Sequence, residues 1–240
     1  LVKRFSPQWA GYPSTASVGA TGDGLLMAEA LGAKLDNMAL TGPQTVAYDT
    51  GRGAVSLTNV RYNGAILVNK KDELGNTAVL GAAITKQPEG FAYLVFDEKS
   101  VQNGALMQKY KQLGYFVEAP TLAELAKKLG VDAAGLQATA ERWHGFFDAK
   151  KDADFGRTLS MVTRLDQAPF YGQKISPASQ TTYGGVERSA EGEALKADGT
   201  PIKGLYVAGE TADQYGQGVS LGIVTGRIAA RGAVKSLSAE

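Results

Sequence analysis

The chain has 240 residues, 44% hydrophobic and 20% charged, with a net charge of +1, no cysteine and one histidine. Near-neutrality gives no electrostatic footprint for nucleic acid or an acidic membrane surface. The cysteine and histidine counts exclude disulfides, thiolate metal sites, a cysteine nucleophile and a multi-histidine metal site, so no metal is expected.

Residues 1–15, with Pro7, Gly11 and Pro13, read as loop and lack the apolar core of a signal peptide. The compartment stays open between exported and cytoplasmic. No apolar run reaches transmembrane length. In TGDGLLMAEALGAKL, Asp23 can cap a helix whose face carries Leu25, Leu26, Ala28 and Leu31, and Gly32 closes it. Residues 54–69 hold two apolar runs around Asn63-Gly64, which predicts a β-hairpin, and KKDELGNT follows as a polar turn. FAYLVFD (91–97) is a continuous apolar run, the pattern of a buried strand.

Residues 99–150 carry a helical pattern. Thr121 N-caps TLAELAKKLG, Glu124 completes a capping box and Gly130 ends the helix. VDAAGLQATAERWHGFFDAKKD predicts a second amphipathic helix with Leu136, Ala140, Trp143 and Phe147 on one face. The two read as one packed pair covering a sheet. After the polar KKDADFGR come APFYGQKISP, the strand pair TTYGGVERS and GEALKADGTPIKGLYVAGE, and a helix from about Ser220 to about Leu237.

The stretch GLYVAGETADQYGQGVSLGIVTGRIA (204–229) reads as strand, glycine-rich loop and helix. Leu205 to Ala208 form the strand and Gly209-Glu210 ends it. Gly216, Gly218 and Gly222 allow close backbone approach, and the helix start offers free N–H groups to an anion or an electron-rich ring edge. Glu210 can accept hydrogen bonds from hydroxyls. The spacing G-x-G-x-x-x-G is not a dinucleotide fingerprint, so an ordinary glycine turn before a helix is an equal reading.

Taken together, ATGDGLLMAEALGAKL, NGAILVN, AYLVFD, DFGR, APFY, TTYGGV, DGTPIKGLYVAGE and GRIAARGA follow an order that resembles the fumarate reductase/succinate dehydrogenase flavoprotein family over nearly the whole chain. The resemblance extends to flavocytochrome-c-type fumarate reductases and ketosteroid dehydrogenases. It implies a mixed α+β and α/β fold: a Rossmann-like FAD-binding domain, at about 1–45 and 166–240, interrupted by an α+β capping domain at about 46–165. The substrate is then expected between the domains, against the flavin. By the same resemblance Gly22, Asp23, Gly209, Glu210, Ser220 and Leu221 contact FAD.

The family's G-x-G-x-x-G phosphate loop is not in these residues; Gly22-Asp23-Gly24 and Gly51-Arg52-Gly53 do not complete it. The chain is therefore expected to be the C-terminal portion of a flavoprotein. Its partner would be the missing N-terminal part, and its own hold on FAD would be weak. By the same resemblance the dicarboxylate clamp of fumarate reductases also departs: its positions hold Gln44, Gln180, Thr181 and Ser220, while Thr58 and Arg61 retain the family's threonine and proton-path arginine and Asn59 sits where a glutamate is usual.

Two carboxylates need bidentate cations in a dry site, so a small-molecule substrate other than a dicarboxylate is expected. The candidate catalytic residues are Arg61, Tyr171, Tyr183 and Tyr215, with Tyr62 also available. His144 reads as a satisfied helix residue, and Arg157 and Arg164 as ion-pair partners of Asp154 and Asp166. The alternative function is a capping or substrate-binding piece without redox activity.

Overall fold

The computed structural model describes residues 1–68, 80–87, 89–213 and 218–238. In chain order its elements are α1 (Val2–Phe5), α2 (Asp23–Ala30), β1 (Leu35–Asp36), β2 (Thr41–Asp49), β3 (Ala54–Ser56), α3 (Thr58–Tyr62), β4 (Ile66–Val68), α4 (Leu80–Thr85), β5 (Ala92–Asp97), α5 (Glu98–Gln102) and α6 (Ala105–Gln112). There follow β6 (Val117–Ala119), α7 (Leu122–Leu129), α8 (Ala133–Ala149), β7 (Phe170–Thr182), β8 (Gly185–Val186), β9 (Glu193–Leu195), β10 (Pro201–Tyr206) and α9 (Val219–Leu237). The mixture of helix and sheet is the fold class expected from the sequence. The chain divides into two compact units, Leu1–Pro43 with Ser179–Glu240, and Gln44–Ala178.

The second unit, 44–178, is built on a sheet of order β3-β2-β7-β5-β4, with β6 also pairing β7. All six residues of β5 are buried. Alternation explains why: Leu94 and Phe96 face one hydrophobic cluster with Val60, Val101, Met107 and Tyr110, whereas Tyr93 and Val95 face another. That second cluster is made by Leu122, Leu125, Ala126 and Leu129 of α7 with Leu136, Ala140 and Trp143 of α8. Capping chemistry sets both helices. Thr121 accepts from Glu124 N at 3.2 Å and Asp132 from Gly135 N at 2.7 Å, while Gly130 takes the left-handed conformation (φ 71°) that ends α7.

Three local expectations change. The hairpin over 54–69 is replaced by a short helix: β3 pairs β2, β4 pairs β5, and α3 lies between them. Asn63-Gly64 ends that helix instead of turning a hairpin. β3 instead closes a tight hairpin with β2 across residues 50–53, and β4 lies on the longer, fully buried β5. Within the helical stretch 99–150, Val117–Ala119 adds a strand on β7. Residues 1–15 are not all loop, since α1 and a 3₁₀ turn at Pro7–Trp9 order them. The expected turn KKDELGNT lies outside the described residues.

In the first unit, β1 pairs β8 and β9 pairs β10, both antiparallel. Its core is small: Ala28, Ala33, Val186, Ala194, Val207 and Ala212. Backbone closeness takes the place of large side chains. A Cβ on Gly184 would stand 2.3 Å from the Asn37 carbonyl, and one on Gly185 2.5 Å from Thr211 O. These two glycines of the TTYGGV stretch therefore let three loop segments meet. No helix among the described residues is long and apolar enough to cross a membrane.

Candidate functional site

In the first unit the strand of GLYVAGE runs earlier than expected, Pro201–Tyr206, and Gly209–Thr211 forms a 3₁₀ turn. Thr225, 2% exposed, fixes this turn: its Oγ1 accepts from Gly209 N at 2.9 Å and donates to Leu221 O at 2.8 Å. One hydroxyl thus ties the turn that carries Glu210 to the first turns of α9. Gly218 caps α9 with φ 94° and no side-chain hydrogen bond. The N–H groups of Val219, Ser220 and Leu221, inside the first helical turn, have no intrahelical acceptor. On the other flank, the Asn37 amide donates to both Asp213 carboxylate oxygens at 3.2 and 3.0 Å, and Asp213 N donates to Val186 O.

Gly22, Asp23 and Glu210 line one cavity of about 750 Å³, with Phe5, Trp9, Tyr12, Gln180 and Thr211 in the same wall. Gly22, left-handed at φ 83°, is the N-cap of α2, so Asp23 is the first helical residue and not the cap. Trp9 is fixed by its Nε1 donating to Thr41 Oγ1 at 2.8 Å and packs edge-on with Tyr12 at 6.0 Å. Gly209, Ser220 and Leu221 lie outside this wall. The donor set suits part of FAD well. Aromatic and apolar walls suit a ring, and two exposed carboxylates accept from polyol hydroxyls while repelling a diphosphate.

Of the tyrosines, Tyr183 lies in this unit; its N donates to Leu40 O and its phenol sits where a Cβ on Gly42 would be 2.9 Å away. Tyr215 lies outside the described residues.

In the second unit, Thr58 and Arg61 are three apart on α3 and share a face. Thr58 Oγ1 donates to Gln44 Oε1 at 3.0 Å and lies 3.0 Å from Ser56 Oγ. Arg61 is 9% exposed and its guanidinium lies 5.0 Å over the ring of exposed Tyr62. Among the described residues no carboxylate pairs with it. Tyr171 is fully buried on β7, stacked on Phe96. Its hydroxyl donates to Glu98 and accepts from Lys111, and Lys111 pairs with Glu98 at 3.1 Å. Burial first, then the Glu98 carboxylate, push the Tyr171 phenol up to about 12. The phenol contact raises Lys111 in turn.

His144 is satisfied by Leu165 O at 3.2 Å. Arg164 pairs with Asp166 as expected and also with Asp148. Asp154 takes Arg142 at 2.8 Å, while Arg157 donates to backbone carbonyls. Sequence reading passed over Thr225 and the Asn37–Asp213 brace. The only signal was a lone threonine in the apolar GIVTGRIA run and two polar residues in loops.

Residues 1–222 match the family model described as FAD binding domain. The chain is 34% identical over 216 residues to the NADH:fumarate oxidoreductase of Klebsiella pneumoniae (strain 342), covering 88% of this chain and 23% of that protein. It is 33% identical to the urocanate reductase of Eggerthella lenta, covering 83% of this chain and 35% of that protein. Among solved structures, the open conformation of a flavocytochrome c3 fumarate reductase matches with a TM-score of 0.83 at 29% identity, over 98% of this chain and 43% of that one. The chain spans less than half the length of each of these proteins. With the FAD-binding fold, the family model and these relatives in agreement, the chain belongs to the fumarate reductase/succinate dehydrogenase flavoprotein family of FAD binding domains.

Proposed function

We propose that this chain is the substrate-side and flavin-contacting portion of an FAD-dependent oxidoreductase that acts on a C=C bond conjugated to at most one carboxylate. Bound FAD supplies hydride transfer. The observation that carries the reading is Arg61, a nine-tenths buried cation with no counter-carboxylate among the described residues. A guanidinium held largely in protein, with no counter-carboxylate among the described residues, is a favourable place for an incoming negative charge. One arginine matches one carboxylate, or the negative charge that develops on a carbonyl as the C=C bond takes up hydride. Beside it, Thr58 and Gln44 are neutral and hydrogen-bonded to each other, so this cluster offers a second carboxylate no charge.

In this reading Asp23 and Glu210 accept from the polyol of FAD, and Ser220 and Leu221 present backbone N–H groups to its ring edge, while the Gly209 N–H is held by Thr225 and Gly209 contributes the close approach of its backbone. Tyr183 and Tyr215 remain candidate proton donors. The hydroxyl of Tyr171 is engaged by Glu98 and Lys111, which makes it a packing group. The phosphate loop would come from a partner part of the flavoprotein. The names of the relatives support a C=C acceptor.

The test is reoxidation of reduced flavin, in the flavoprotein that carries this chain, by acrylate, urocanate and fumarate. We expect both monocarboxylates to outrun fumarate. Fastest turnover with fumarate, or none with any, overturns the reading. A second reading rests on the self-contained double core of residues 44–178: a unit that binds a small molecule without redox chemistry. A flavin band in the absorption spectrum of the whole protein that carries this chain separates the two: its presence supports the first reading and its absence the second.

A further inference from the structure

Arg157 closes the DFGR stretch, a loop shaped by one carboxylate. Asp152, 3% exposed, accepts from the backbone N–H groups of Asp154 and Phe155 at 3.0 Å each and of Arg157 at 3.3 Å. The turn aims the Arg157 guanidinium at four carbonyls. Nε donates to Leu159 at 3.1 Å, Nη1 to Ala65 at 3.1 Å, and Nη2 to Arg61 at 3.3 Å and Ser160 at 2.7 Å. The guanidinium lies 5.0 Å from the ring of Trp143, which is fully buried and held by Nε1 donating to Thr163 O.

Two of those carbonyls bracket the segment that presents Arg61. The helix α3 has five residues, and a helix that short does not persist by itself. Its C-terminal carbonyls need donors, and a cation there also complements the helix dipole. Arg61 O receives Gly64 N at 3.3 Å and Arg157 Nη2 at the same distance. The next anchored carbonyl, Ala65, leads directly into β4.

We propose that Arg157 is a positioning residue for Arg61: by tying the carbonyls on both sides of Gly64 it fixes where the end of α3, and so the Arg61 guanidinium, stands. This rests on the reading that Arg61 meets the negative charge of the substrate. Only an arginine fork can serve these carbonyls together; a lysine in the same place has one nitrogen.

Backbone hydrogen exchange of the full chain tests the holding itself, comparing wild type with Arg157→Lys and with Asp152→Asn, which loosens the loop but keeps the arginine. We expect the Gly64 and Ala65 amides to exchange about tenfold faster or more, while Ala92–Asp97 is unchanged. Equal acceleration in both segments, or none at Gly64 and Ala65, overturns the proposal. Asp152→Asn should give the same pattern more weakly, and it serves if Arg157→Lys does not fold.

Kinetics in the FAD-bound flavoprotein, with acrylate as acceptor, then test the coupling. Arg157→Lys should lower kcat about tenfold or more. That effect should vanish in an Arg61→Lys background, whereas additive losses overturn the proposal. If Arg61→Lys alone leaves reoxidation unchanged, the functional reading of Arg61 falls, and the exchange result still decides whether Arg157 holds the helix.

Discussion

The two units reach compactness by opposite means. Residues 44–178 place large side chains on both faces of one sheet, so that Leu94 and Phe96 fill one core and Val95 and Trp143 another. Residues 1–43 and 179–240 bury chiefly alanine and valine. Glycines there bring backbone against backbone, and large apolar side chains stay outside: Met27 is 65% exposed, Ile223 58% and Val234 64%. Apolar area removed from water sets the stability of the first kind of unit. Close backbone fit and single hydrogen bonds set the second, and with them the geometry around Glu210.

The contrast can be broken experimentally, beginning where the effect is largest. Trp143→Ala removes the biggest fully buried side chain and should cost about 3–5 kcal/mol in denaturant unfolding. Residues 44–178 expressed alone should still melt cooperatively; a gradual transition would end the claim of a self-contained core. Gly184→Ala should cost about 2–3 kcal/mol, because its Cβ meets the Asn37 backbone, and exchange at Val186 and Asp213 should speed up.

Thr225→Val keeps the shape and strands Gly209 N. It should cost about 1–2 kcal/mol and weaken FAD binding in a flavin titration. A pH effect in the second unit is confined to strongly alkaline conditions. The Tyr171 phenol titrates near 10 unfolded and about 12 folded, so its contribution is complete below pH 10 and lost as pH rises to 12. Tyr171→Phe should flatten that part of the stability profile measured by urea unfolding. At the bottom of the scale, Ile223→Lys and Val234→Lys should change the chain's stability by no more than about 0.5 kcal/mol. A loss comparable to that of Trp143→Ala would show that the side of α9 carrying Ile223 and Val234 is buried, against the contrast.

Much of the second unit was legible in the sequence. FAYLVFD announced β5 because both faces are buried, and Thr121 and Gly130 marked helix ends through chemistry local to a few residues. The hairpin around Asn63-Gly64 was a misreading for an equally physical cause. Turn signals are local, but β3 closes a different local hairpin with β2, its immediate predecessor, and β4 pairs with β5 about 25 residues further on. At the candidate sites the sequence pointed to Asp23, Glu210 and Arg61. It could not show that Asp23 and Glu210 share a cavity wall, that Arg61 is buried without a counter-carboxylate among the described residues, or that Tyr171 is already engaged.

By itself, then, the sequence determined the elements whose signals are periodic or lie within one helical turn. It also determined the absence of cysteine chemistry and, through the order of its motifs, the family. Only the tertiary structure decided which hydroxyls and carbonyls meet. Thr225 on Gly209 and Arg157 on Arg61 are contacts between residues 16 and 96 positions apart. Such pairings depend on the summed packing of whole elements, and no spacing along the chain encodes them.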